Sequence, residues 1–96
     1  MPGPVAVHST VLVSTTAVVL AIPRENRRGC FVYNYSSQPL FIKFEADLTL
    51  TSFMLRVPGN WWYEMPWGNV YAGGIWGIWE GAQAAPSGAM ITELVS

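Results

Sequence analysis

The stretch Cys30-Phe31-Val32-Tyr33-Asn34-Tyr35-Ser36-Ser37-Gln38-Pro39-Leu40-Phe41-Ile42-Lys43-Phe44-Glu45 decides the fold. Side chains alternate along an extended chain, so Phe31, Tyr33 and Tyr35 share one face, and Cys30, Val32 and Asn34 share the other. β-Branched and aromatic residues fill both apolar runs, while Ser36 to Pro39 has the composition of a turn. Two such runs, separated by four turn residues, read as a β-hairpin. In the return run Leu40, Ile42 and Phe44 alternate with Phe41, Lys43 and Glu45, which places the second set nearer solvent.

The same period of two extends outward in both directions. Upstream, Val5, Val7, Ser9, Val11 and Val13 alternate with Ala6, His8, Thr10, Leu12 and Ser14. After a break near Ser14-Thr15, Thr16, Val18, Leu20 and Ile22 continue the pattern until Pro23, which has no N–H to give a ladder. Pro23 to Gly29 is a polar loop. Downstream, Ala46 to Thr51 reads as a loop and Ser52 to Val57 as a strand stopped by Pro58-Gly59-Asn60. Trp61 to Met65 follows, then Pro66-Trp67-Gly68-Asn69, then Val70 to Ala72 leading through Gly73-Gly74 into Ile75 to Glu80. A small-residue loop, Gly81 to Gly88, precedes a final alternating run from Ala89 to Val95. Turn signals every eight to twelve residues, with no helical period, predict an all-β fold: an antiparallel β-sandwich or small barrel of about six to eight short strands. Residues 1–10, opening with Pro2-Gly3-Pro4, read as an N-terminal arm, and residues 11–96 as a single sandwich domain.

Composition bears on function. Charged residues make up only 11% of the 96, against about 25% in an average soluble protein, while hydrophobic residues reach 51%. So small a body cannot hide all of that apolar material, and surplus apolar surface with aromatic rings is what a contact surface needs. A net charge of −1 argues against a nucleic-acid or anionic-membrane partner. The β-branched, hydroxyl-interrupted run from Val5 to Ile22 reads as neither a signal peptide nor a membrane span. Cys30, the single cysteine, excludes an internal disulfide and a cysteine-based zinc site, and its flanks suggest a buried strand residue.

Residues that could carry catalysis are scarce. His8 is the single histidine and has no serine-and-acid arrangement around it; Ser9 beside it points to the opposite face. Glu45 and Asp47 form an acidic pair of the kind that also arises at an ordinary solvated strand end. Gly73, Gly74 and Gly77 lack the spacing and the helix of a phosphate loop. The expectation is a chain without catalytic residues, metal or cofactor.

Two groups remain as candidates for protein contact. Arg24, Arg27 and Arg28 hold three of the five positive charges and can pair with carboxylates across an interface. Trp61, Trp62, Trp67, Trp76 and Trp79 bury large areas with few rotatable bonds, as interface anchors do. Within a strand Trp61 and Trp62 face opposite ways, as do Trp76 and Trp79, so at least one of each pair is expected outside the core. Stacking of such rings on sugars makes a carbohydrate-binding module the competing expectation.

The run Asn26-Arg27-Arg28-Gly29-Cys30-Phe31-Val32-Tyr33-Asn34-Tyr35-Ser36, followed by Pro39-Leu40-Phe41-Ile42-Lys43-Phe44, resembles a pattern in small structural proteins of tailed bacteriophages. There a basic "NRRG" element precedes an apolar strand, a "YN-x-S" turn and an "LFIK"-like return strand. Leu55 to Met65, Val70 to Trp76 and the ending Ala89 to Leu94 are similar as well, so the likeness spans most of Val11 to Leu94. The tryptophan content from Trp61 to Trp79 departs from the pattern. This resemblance implies a virion component made in the host cytoplasm: a capsid decoration (cement) protein at the capsid surface, or else a head-fibre, tail or baseplate part. Its implied partners are the major capsid protein or another virion protein, and further copies of itself, with a trimer favoured.

Overall fold

In the computed structural model, which describes residues 5–66 and 70–96, the period-two runs form eight strands. They are β1 (Val5–Leu12), β2 (Val18–Ala21), β3 (Arg27–Tyr35), β4 (Leu40–Lys43), β5 (Leu55–Val57), β6 (Trp62–Glu64), β7 (Ile75–Trp79) and β8 (Gly88–Val95). Two four-stranded sheets result, one in the order β1-β8-β3-β6 and the other β2-β7-β4-β5, with every pairing antiparallel. The fold is a small all-β sandwich. Each run lies within a residue or a few of its expected position, because alternation and turn residues are local signals.

The core is the sequence parity made solid. Cys30, Val32, Ala89 and Ile91 from the first sheet meet Leu40, Ile42, Ile75 and Trp79 from the second. Each of the valine, leucine and isoleucine side chains among them, taken out of water, contributes about 1.5–3 kcal/mol before chain entropy is set against it. Phe41, expected nearer solvent, is buried instead. The segment between β4 and β5 folds back over the outer face of the second sheet, where Leu48 packs with Phe41, Ile78 and Trp76. A tight turn holds this cover, with Thr49 and Ser52 exchanging backbone hydrogen bonds of 3.0 and 3.2 Å. Lys43 tethers it through Asp47 at 2.9 Å and Ser52 at 2.9 Å. That pairing also gives Asp47, one of the two acids weighed above, a structural partner.

The expected hairpin does not form. β3 lies between β8 and β6 in one sheet, whereas β4 lies between β7 and β5 in the other, so Ser36 to Pro39 arches across the sandwich. The cause is the buried side chain of Asn34. Its Nδ2 donates to the carbonyls of Gln38 (2.8 Å), Val57 (3.1 Å) and Pro58 (3.1 Å). Its Oδ1 accepts from Ser36 Oγ at 2.8 Å and from Trp79 Nε1 at 3.0 Å. An amide so surrounded is satisfied only if the chain leaves β3 and crosses to the other sheet. Gly59 lets the next turn close against this arch, since a Cβ there would sit 2.8 Å from the carbonyl oxygens of both Ser36 and Ser37.

From Val5 onward the chain is already strand, paired with β8 from Val5 opposite Val95 to Leu12 opposite Gly88. The expected arm over residues 1–10 therefore overlaps β1, and Pro2-Gly3-Pro4 lies outside the described residues. Gly88 permits this close pairing, because any Cβ there would run into the Val11 carbonyl oxygen.

Asn34→Ala leaves the Trp79 indole N–H without its acceptor and three carbonyls without their shared donor. Chemical denaturation should show a loss of about 3 kcal/mol or more. Burial pushes the Cys30 thiol up to about 11, helped by Glu93 and opposed by Arg27. With the folded value above the unfolded one, the folded state holds its proton longer. The stability this contributes is intact below pH 9 and declines as pH rises from there to about 11, by about 2–3 kcal/mol. A Cys30→Ser variant should show a smaller decline over the same interval.

Candidate contact face

The outer face of the first sheet is built by register. Trp62, Tyr33, Met90 and Thr10 form one cross-strand row, and Tyr35, Gly88 and Leu12 the next toward one end. Glu64, Phe31, Thr92 and His8 form a third row on the other side. No segment among the described residues covers these rows as the β4–β5 segment covers the second sheet. Leu12, Tyr35, Trp62 and Met90 are exposed, and Glu64 is the sole formally charged side chain in the three rows. His8 sits on the edge strand, its Nδ1 3.0 Å from Thr92 Oγ1.

Trp61 and Trp62 extend this face. They do not point to opposite sides: their rings stack at 4.6 Å, and 53% and 54% of their surfaces are exposed. Parity fails here because Trp61 precedes the strand and follows Asn60, whose φ of 55° swings the chain into the left-handed region. Beyond Tyr35 the face ends in two clefts. An apolar one of about 330 Å³ lies among Leu12, Tyr35, Pro86 and Met90. A polar one of about 210 Å³ lies among Tyr35, Ser36, Asn60 and Gln83.

Other expected contact residues are placed differently. Trp79 is fully buried with its indole N–H bonded to Asn34, so it anchors the core and touches no outside surface. Trp76 is half-buried against Phe41, Leu48 and Ile78 under the β4–β5 cover. Trp67 lies outside the described residues. Arg27 has a side chain with no exposure at all. Its Nε donates to Glu93 at 2.8 Å, its Nη1 to the carbonyls of Tyr71 and Gly73 at 2.7 and 3.0 Å, and its Nη2 to that of Ile22 at 2.7 Å. Such a guanidinium ties three chain segments together and is no docking charge. Arg24 shares Glu93 at 3.2 Å while remaining partly exposed, and Arg28 stays at the surface, where its Nε donates to Ser96 Oγ at 3.2 Å. The basic loop is thus split between an internal ion triad and one solvent-facing cation.

Sequence reasoning passed over Tyr33, Tyr35, Met90 and Leu12 as surface residues. The parity that Tyr33 and Tyr35 share with Phe31 was visible, but which parity faced solvent, and that Met90 and Leu12 join the same face, depended on how the strands pair. The described residues contain no group of three or more His, Cys, Asp or Glu side chains placed to hold a metal ion. No protein-family model, curated protein or solved structure matches the chain.

Removing the exposed stack should be almost silent for folding. Trp61→Ala and Trp62→Ala should each shift stability by less than about 1 kcal/mol, whereas Trp79→Ala should cost about 3–5 kcal/mol. Urea midpoints for the three variants check the contrast.

Proposed function

We propose that the chain is a non-enzymatic structural protein of a bacteriophage particle, a capsid decoration protein that adheres through the outer face of its first sheet. The observation carrying this reading is the aromatic, nearly uncharged surface of Tyr33, Tyr35, Trp61, Trp62 and Met90, open on a rigid sandwich. Water is driven from such a surface at about 25 cal/mol per Å², and stiff rings lose little entropy on docking. Tryptophan is among the residue types that dominate protein interfaces. The resemblance in the hairpin-like region supplies the virion context, with the major capsid protein or another virion protein as the surface met. Action is passive: no bond is made or broken, and many copies, themselves associated, add avidity across the shell. A head-fibre, tail or baseplate location would use the same face.

A second reading has one observation in its favour. The Trp61–Trp62 stack adjoins the polar cleft of Tyr35, Ser36, Asn60 and Gln83, an arrangement that could seat a sugar ring. Against it, Gln83 Oε1 is already engaged by the Ser37 N–H and hydroxyl at 2.9 and 3.0 Å.

Co-sedimentation with capsids assembled from the particle's major capsid protein separates these readings. Wild-type protein should pellet with capsids, and the double variant Trp61→Ala/Trp62→Ala should bind at least about thirtyfold more weakly. Failure of the wild type to pellet would overturn the decoration reading. Saturable quenching of tryptophan fluorescence by oligosaccharides, lost in the double variant, would establish the sugar reading instead.

A further inference from the structure

We infer that β1 is a self-pairing edge: two copies of the chain join their β1 strands antiparallel about a twofold axis at Ser9, making one continuous eight-stranded sheet. Among the described residues β1 is paired on one side only, with β8. Backbone direction fixes what the other side offers. Just past the strand the Val13 N–H donates to the Ser87 carbonyl at 3.2 Å, continuing the β1–β8 register. Hydrogen-bonded pairs alternate in an antiparallel ladder, so odd-numbered residues of β1 turn their backbone groups toward β8. Gly88 agrees, since a Cβ on it would collide with the inward-turned Val11 carbonyl. The free edge therefore presents the N–H and C=O groups of Ala6, His8, Thr10 and Leu12.

Sequence and register select a second copy as the occupant. Soluble sheets guard long edges with lysine, proline, inward charges or bulges, and VAVHSTVL carries no charged residue and no proline along eight regularly registered positions. In an antiparallel pair of identical strands the residue on the axis meets its own twin, so a charge at or beside the axis would lie close to its like in the other copy. The middle of β1, His8-Ser9-Thr10, carries no carboxylate, lysine or arginine to repel its copy. With Ser9 opposite Ser9 on the axis, Ala6 falls opposite Leu12 and His8 opposite Thr10, and all outward backbone groups of both copies are paired. Shifting the centre to His8 opposes two imidazoles and sets Leu12 against a position outside β1. On the inner side the chosen register sets Val7 beside Val11 and Val5 beside Val13 of the other copy. That shields apolar side chains which the short β2 leaves uncovered, Val5 being exposed. Both free β1 edges are consumed, so the assembly closes at two copies.

The pairing takes up only the β1 backbone edge of that sheet and leaves Trp61, Trp62, Tyr33 and Tyr35 untouched, so it stands or falls apart from the capsid reading. The full chain should sediment as a dimer. Ser9→Cys should form an intermolecular disulfide under mild oxidation, because non-hydrogen-bonded partners have adjacent Cβ atoms. Ala6→Cys, whose twin lies several residues away across the axis, should not cross-link. Ser9→Lys, at an exposed site, should keep the circular-dichroism spectrum while raising the dimer dissociation constant roughly tenfold or more. Trp61→Ala should leave the dimer intact. A monomer or a trimer in sedimentation, a dimer indifferent to Ser9→Lys, or cross-linking as efficient at Ala6 as at Ser9 would each overturn the proposal.

Discussion

At one end of the sandwich a buried amide fixes how the two sheets sit on each other. Asn34 binds the arch through Gln38, the β5 exit through Val57 and Pro58, and the opposite sheet through Trp79. Apolar packing alone tolerates sliding and rotation between layers, since area burial has no direction. Hydrogen bonds do have direction, and an amide sealed from water cannot leave its partners without loss. Specificity at this joint is therefore polar, while cohesion around it comes from Ile42, Ile75, Ile91 and their neighbours. At the other end of the sandwich Arg27 plays the corresponding part, clasping Glu93 and the carbonyls of Ile22, Tyr71 and Gly73.

Those two residues also mark the limit of what the sequence reveals. Alternation made the strands legible: Cys30, Val32, Leu40 and Ile42 sit inside, as their parity requires. Turn composition at Ser36 to Pro39 revealed that the chain reverses but not whether it returns beside itself or crosses the gap, because that choice lies with Asn34 and partners up to 45 residues away. Arg27 looked like a surface charge because its counter-ion, Glu93, is 66 residues distant. For the tryptophans, parity set Trp79 and Trp76 on opposite faces but could not reveal that the β4–β5 segment packs over Trp76, and it failed at Trp61 because Asn60 breaks the extended conformation on which parity depends. The contact face as a whole could be composed only after β6, β3, β8 and β1 were known to be neighbours.

The division of surface follows from unequal cover. Leu48 and its turn lie over the second sheet, turning Phe41 and Ile78 into a small second core. The first sheet has no such cover among the described residues, and its tyrosines and the Trp61–Trp62 pair remain in water. Whether a β-sheet face belongs to a core or to a neighbour is decided here by one eleven-residue connection, Phe44 to Met54, rather than by the strands themselves.

Val5 opposite Val95 places both described ends of the chain at one extremity of the first sheet. Tyr35, opposite Gly88, stands at the other extremity, about 24 Å away along β1 at about 3.4 Å per residue. A probe attached at Val5 or Val95 would thus sit at the end of the sheet remote from the clefts, as a flag stands off its base. The sandwich has the geometry of a display platform, with the Val5–Val95 pair and the clefts at opposite poles.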